Sequence, residues 1–171
     1  IHIESELGRG SVFTVVLPLE AGNPPRLFEE DKEKVSVDIK GKRALLVEDN
    51  ELNQEIAEYI LTELGIDVTL AVNGQEAVEL FKNSAPGTFH IIFMDVMMPV
   101  MDGHEATREI RSLKRPDGTK IPIIAMTANA FAEDVKAAMD AGMNEHITKP
   151  LEPEIIDRVL RDWLTEEKQE K

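Results

Sequence analysis

Glu48-Asp49, Asp95, Thr127 and Lys149 are the side chains whose types and spacing could do chemistry together. Each follows directly on a short apolar run: ALLV (Ala44–Val47), IIFM (Ile91–Met94), IIAM (Ile123–Met126) and the weaker HIT (His146–Thr148). Taken singly they are bland. An aspartate after an apolar run is most often a turn residue, and a Glu-Asp pair can equally cap a helix. A lone lysine is usually a surface group and a lone threonine a strand-end hydroxyl. Gathered at one place they mean something else. Three uncompensated carboxylates are costly, and one would hold a proton unless a cation intervenes. A hard divalent ion with oxygen ligands removes that cost. Mg²⁺ takes one or two carboxylates, keeps waters and accepts phosphate oxygens. Lys149 would add a point positive charge opposite the metal, and Thr127 a hydroxyl donor. The set complements a phosphoryl group with negative oxygens.

Elements must exist to gather these groups. From Lys40 onward, strand and helix signals alternate. The continuous apolar runs suit parallel strands covered on both faces; DVTLA (Asp67–Ala71) is a weaker strand candidate. Between them lie segments of helical period. Leu52, Ile56, Ile60 and Leu64 share one stripe, which Gly65 can terminate. Asn73 with Glu76, and Asp102 with Glu105, have capping-box spacing. Phe131, Val135 and Met139 mark a fourth helix. Ile155, Ile156, Val159, Leu160, Trp163 and Leu164 mark a fifth, with Pro153 in its first turn. The order (βα)₅ predicts an α/β fold, a doubly wound parallel sheet with helices on both faces. Sites in such sheets form at the carboxyl ends of the strands near the topological switch point. In a strand order of 2-1-3-4-5, the first and third strands are neighbours, so Glu48, Asp49 and Asp95 would crowd one edge.

Two further regions precede this module. Residues 1–20 read as two short strands about a tight turn, with Gly8 and Gly10 as turn residues. Phe13, Val15, Leu17 and Leu19 alternate as in a half-buried strand. Residues 21–39, with the breaker cluster Ala21–Pro25 and the charged run Glu29–Lys34, read as a linker. Leu27 and Phe28 are its candidate docking points. Residues 40–165 form the main module, and residues 166–171 a polar tail.

Composition bounds the function. Of 171 residues, 42% are apolar and 30% charged, as in a soluble globular protein. There is no cysteine, which excludes disulfides, thiol catalysis and Cys-based zinc sites and fits a cytoplasmic setting. The formal net charge of −14 argues against nucleic-acid binding. No apolar run is long enough for a membrane span and no basic leader is visible, so no direct membrane contact is expected. Ile1 is not a natural start, and the chain reads as a fragment.

The segments LLVEDNELNQ, FMDVMMPVMDG, IIAMTANA and GMNEHITKP resemble the receiver domains of two-component response regulators, in the family's order and spacing over residues 40–165. The resemblance implies a flavodoxin-like fold and residue roles. Asp95 would be the phosphoacceptor, attacking a phosphohistidine phosphorus. Asp49 would ligate Mg²⁺ directly, Glu48 through water, and the Met97 backbone carbonyl would be the third protein ligand. Thr127 and Lys149 would bind phosphoryl oxygens, and the Lys149–Pro150 bond would be cis. Thr127 and His146 would form the switch. The family often has Tyr or Phe at the latter position, so an aromatic in–out switch is not implied here. Met97 and Asn129 occupy positions that tune phosphoaspartate hydrolysis. The other methionines of the segment, Met94, Met98 and Met101, read together with Met97 as packing rather than metal ligands. Helix 1 residues such as Asn53, Gln54 and Ala57 would face the partner.

IESELGRGSVFTVVLPLE resembles the last hairpin of a histidine-kinase ATP-binding domain, on Gly8, Gly10, Ser11, Phe13, Leu17 and Pro18. The nucleotide-binding boxes of that domain are missing, so the fragment itself is expected to have no kinase activity. The implied parent is a hybrid histidine kinase. The implied partners are a phosphohistidine domain of a kinase or a histidine phosphotransfer protein. The hairpin, cut from its sheet, would pack on the receiver or support weak self-association. Two rival readings are a pseudo-receiver that only binds partners and a Mg²⁺-dependent phosphatase with an aspartate nucleophile. The second needs an aspartate where Met97 stands.

Overall fold

The computed structural model describes residues 2–6, 8, 10–16, 39–128 and 131–164. The chain divides into two compact units, one within residues 1–35 and one within residues 36–171. Leu27, Phe28, Leu17, Leu19 and the polar tail fall outside the described residues.

The first unit is an antiparallel hairpin of β1 (His2–Glu6) and β2 (Gly10–Thr14), in register from His2 opposite Thr14 to Glu6 opposite Gly10. Gly8 (φ +84°) and Gly10 (φ +96°) take the left-handed conformations that the turn needs. The expected half-burial is not found. Phe13 is 67% exposed and Val15 56%. Among the described residues of this unit, the two strands have no second layer to bury a face against.

The second unit contains β3 (Arg43–Val47), α1 (Glu51–Glu63), β4 (Asp67–Ala71), α2 (Gly74–Asn83), β5 (Ile91–Asp95) and α3 (Gly103–Ser112). It continues with β6 (Ile123–Thr127), α4 (Ala132–Ala141), β7 (Glu145–Thr148) and α5 (Pro153–Leu164). The five strands are all parallel, in the order β4-β3-β5-β6-β7. Counted within the module, this is the predicted order 2-1-3-4-5.

Alternation along each strand splits the core into two layers. Leu45, Val47, Ile92, Met94, Ile123 and Ala125 meet residues of α2, α3 and α4, among them Phe81, Ala106, Ile110 and Ala138. Ala44, Leu46, Ile91, Phe93, Ile124 and Met126 meet α1 and α5 through Ala57, Leu61, Ile156, Val159 and Leu160. Both sheet faces are dry, which is why the strands read as unbroken apolar runs.

The helix starts follow the sequence closely. Asn73 and Asp102 accept hydrogen bonds from the backbone N–H groups of Glu76 and Glu105. The helix faces needed correction. In α1 the buried residues are Gln54, Ala57, Ile60 and Leu61, while Leu52 and Ile56 are exposed. Gln54 and Ala57 therefore do not face a partner. In α4 the buried residues are Ala138 and Ala141, and Phe131 at the amino-terminal cap position is exposed. The methionines also divide. Met94 is fully buried and Met98 and Met101 pack at the core's margin, but Met97 is 80% exposed.

One close approach fixes the site's geometry. A Cβ on Gly103 would lie 2.1 Å from the Asp95 carbonyl oxygen, and the Gly103 N–H donates to Val96 O at 3.1 Å. The start of α3 thus rests against the end of β5, with no room for a side chain. Gly103→Ala is expected to cost about 3 kcal/mol or more, because backbone must move on both sides. Urea unfolding of the two proteins checks this.

Candidate functional site

The site is built where β3, β5, β6 and β7 end. Val47 pairs with Met94, so Glu48 and Asp95 follow side by side on neighbouring strands. Asp95 in turn pairs with Met126, and the Lys149 N–H donates to Thr127 O at 2.8 Å. The parallel register therefore delivers two acids, a hydroxyl and an amine to one edge.

The chain turns sharply after β3. Asn50 caps α1 by accepting from the Asn53 N–H at 3.1 Å. The first turn of α1 then reaches back over Glu48. Asn53 Nδ2 donates to Glu48 Oε1 at 2.9 Å, and Gln54 Nε2 donates to the Glu48 carbonyl oxygen at 2.5 Å. Glu48 is only 1% exposed, Asp95 is buried and Asp49 is open to solvent.

Lys149 joins the two buried acids. Its Nζ lies 2.5 Å from Glu48 Oε2 and 2.6 Å from Asp95 Oδ2. Burial pulls the Lys149 ammonium down, but its bonds to Asp95 and Glu48 outweigh this and leave its pKa raised. For Asp95, burial dominates and raises the pKa. The Lys149 bond and the Met97 N–H, which donates to Asp95 Oδ1 at 3.1 Å, oppose the shift, and the Glu48 charge adds to it.

One carboxylate oxygen from each of Glu48, Asp49 and Asp95 can be chosen so that all lie within 4.8 Å of one another. With all groups ionised, these three acids and Lys149 carry a formal charge of −2. All the donors are oxygens, and two of the acids are held away from bulk water. That set fits a hard divalent cation.

The remaining expected residues are placed as follows. Thr127 ends β6, partly exposed, and His146 lies in β7 beside Ala125, also partly exposed. Met97 follows Asp95 by two residues with its side chain in solvent. The Lys149–Pro150 bond is cis. Asn129 lies outside the described residues. Asn53 and Gln54 are site residues that sequence reasoning assigned elsewhere. The signal was available: once Asn50 caps the helix, residues 53 and 54 must stand above the end of β3.

A pH dependence follows for the metal-free protein. A raised Asp95 pKa means the folded state takes up that proton more readily than the unfolded chain. This contribution to stability is complete below the ordinary aspartate range and is lost as pH rises through the raised value. Replacing Asp95 removes that loss. In EDTA, the melting temperature of Asp95→Asn relative to the natural protein is expected to increase between pH 4 and pH 7. Thermal denaturation across that interval reads the slope, and parallel curves would contradict it.

Comparison with known proteins agrees with this geometry. Residues 44–161 match the response regulator receiver domain family. The aerobic respiration control sensor protein ArcB of Escherichia coli is 33% identical over 173 residues, covering 99% of this chain and 21% of that protein. The chain likewise spans 9% of the length of the hybrid signal transduction histidine kinase I of Dictyostelium discoideum, so it corresponds to a small part of these relatives. Among solved structures, the receiver domain of a Pseudomonas aeruginosa sensor histidine kinase has 41% identity and a TM-score of 0.66. It covers 72% of this chain and 98% of that one, and carries a magnesium ion coordinated in its active site cleft. A receiver domain of a Saccharomyces cerevisiae response regulator, co-crystallised with a histidine phosphotransfer signalling protein, has 35% identity and a TM-score of 0.64, covering 71% and 88%. With strand order, acid cluster and lysine contact in place, the chain belongs to the response regulator receiver domain family and is a phospho-receiver of the kind found in hybrid histidine kinases.

Proposed function

We propose that Asp95 accepts a phosphoryl group from a phosphohistidine, in a site completed by Mg²⁺. The observation that carries this reading is the convergence of three carboxylates and Lys149 at one sheet edge. Glu48, Asp49, Asp95 and the Met97 carbonyl would hold the ion. When bound, Mg²⁺ supplies positive charge to the phosphoryl oxygens. An Asp95 carboxylate oxygen attacks phosphorus; a P–O bond forms as the P–N bond to the donor breaks. The electron pair of that bond stays on the imidazole nitrogen, which takes up a proton. Lys149 and the Thr127 hydroxyl bind the transferred oxygens. Thr127 and His146 then serve as the switch on the α4–β7–α5 face.

The donor, or the next acceptor, is a phosphohistidine domain of a kinase or a histidine phosphotransfer protein. The yeast complex supports such pairing, as does the apolar strip Leu52, Ile56 and Tyr59 exposed along α1. Ile56 also lines a pocket with Glu48, Asn53, Lys149, Pro150 and Leu151 beside the site. The net charge of −14 speaks against nucleic acid as a partner. The likeness to ArcB extends over 99% of this chain, including residues 1–39. That supports residues 1–20 as the end of a kinase ATP-binding domain, residues 21–39 as a linker and the parent as a hybrid kinase acting in the cytoplasm. No described helix is long and apolar enough to cross a membrane.

Acetyl phosphate with Mg²⁺ is expected to add one phosphoryl group to the full chain, at Asp95. Mass spectrometry should find none in EDTA or in Asp95→Asn, and Lys149→Ala should slow labelling about a hundredfold. A chain that takes no label would be a binding module instead. The exposed Met97 side chain cannot orient a water for hydrolysis. Met97→Asn is therefore expected to shorten the lifetime of the phosphorylated form, and an unchanged lifetime would remove Met97 from any tuning role.

A further inference from the structure

We infer that Asn53 is a positioning residue for the metal site, acting through the carboxylate of Glu48. Its amide Nδ2 donates to Glu48 Oε1 at 2.9 Å, while Lys149 takes Oε2 of the same carboxylate at 2.5 Å. Each oxygen of this buried group thus has a fixed partner, and the plane of the carboxylate is set by two elements, α1 and the segment after β7. The rest of Glu48 is held as firmly, since Gln54 bonds its carbonyl oxygen. This inference rests on the metal-site reading above.

The chemistry explains why an amide suits the position. Lysine or arginine could donate the same hydrogen bond, but would bring a positive charge beside a cation site and repel the ion. Leucine would fill the space and leave Oε1 of a buried carboxylate without its donor, which is costly. Asparagine orients the acid and leaves the local charge unchanged. It can do so because the Asn50 cap sets the phase of α1: the Asn53 N–H is the group that Asn50 accepts from. Asn53 also lines the pocket beside the site, so the group that fixes Glu48 forms part of its wall.

The test is calorimetric titration of the full chain with MgCl₂ alone. The natural protein should bind Mg²⁺, and Asn53→Leu and Asn53→Ala should each weaken Kd about tenfold or more, as loss of a partner behind a metal ligand does. Melting temperature identifies whether both variants are folded, and the alanine variant answers if the leucine one is not. In a Glu48→Gln background the same substitutions should cause no further loss. Variants that bind as tightly as the natural protein would overturn the role of Asn53 while leaving the metal site intact. An equal loss with and without Glu48 would overturn it too, because the effect would not run through that carboxylate. If the natural protein itself bound no Mg²⁺, the metal-site reading and this inference would fall together.

Discussion

The Lys149 ammonium sits between two buried carboxylates, with a third just outside them. Charges of one sign held so close are tolerated only where something opposes them, and much of the molecule can be read as serving that need. The lysine arrives on the loop after β7, the edge strand that pairs with β6, while β6 in turn pairs with β5. The lysine does not balance the acids, so the site stays short of positive charge when all are ionised. Burial raises the pKa of Asp95 despite its bond to Lys149, and the Glu48 charge adds a little to that shift. A half-compensated cluster costs stability, and a binding site is the ordinary reason to keep one.

The opposite edge of the sheet is organised differently. Arg111, at the end of α3, donates to the carbonyl oxygens of Gly118, Ile121 and Gly142 and to Asn144 Oδ1. Burial lowers its pKa to about 10, which still leaves it charged at neutral pH. Arg115 forms a two-pronged contact with Asp117 at 2.6 and 2.9 Å, bonds the carbonyl oxygens of Phe81 and Ser84, and lies 4.1 Å from the Phe81 ring centroid. Asp117 in turn accepts from the Gly87 N–H. These arginines stitch the loops that enter the sheet, and the acids gather where the strands leave it. The stitched edge lets the register of the parallel strands be inherited intact at the far end. At that far end some strain remains. Val100 holds a left-handed φ of +71°, and its neighbours Pro99 and Met101 close a tight turn with a 2.8 Å bond.

The strands and the chemistry were legible in the sequence for one reason. Both sheet faces are covered, so each buried strand appears as an apolar run, and the residue that breaks the run marks the strand end. Helix faces were less legible. Leu52, Ile56, Ile60 and Leu64 and the true buried set Gln54, Ala57, Ile60 and Leu61 both have helical spacing. Hydrophobicity favours the first set; the phase that α1 takes from its Asn50 cap goes with the second. The resulting apolar exposure lies on α1, where Ile56 lines the pocket beside the site. The hydrogen bond from Asn53 to Glu48 was not legible for the same reason, because it depends on helix phase and not on residue type. Phe131 misled in α4, where small residues, Ala138 and Ala141, make the close contact.

Charge accounting carries the chemistry one step further. A phosphoryl group on Asp95 would replace one carboxylate charge by about −2. The edge already holds Glu48 and Asp49 within 4.8 Å of Asp95, and among the described residues Lys149 is the cation paired with Glu48 and Asp95. Lys149 alone would leave much of that negative charge uncompensated at a half-buried strand end, which is where the charge of a divalent cation would count during transfer. The same accounting bears on the natural neutrality of residue 53. Lys149 already pairs with the Glu48 carboxylate, and the groups of the first turn of α1 that hold Glu48, Asn53 and Gln54, are both amides. The site thus separates two tasks that charged side chains would confuse: ions set its field, and a neutral hydrogen bond sets the direction of the acid that meets the ion.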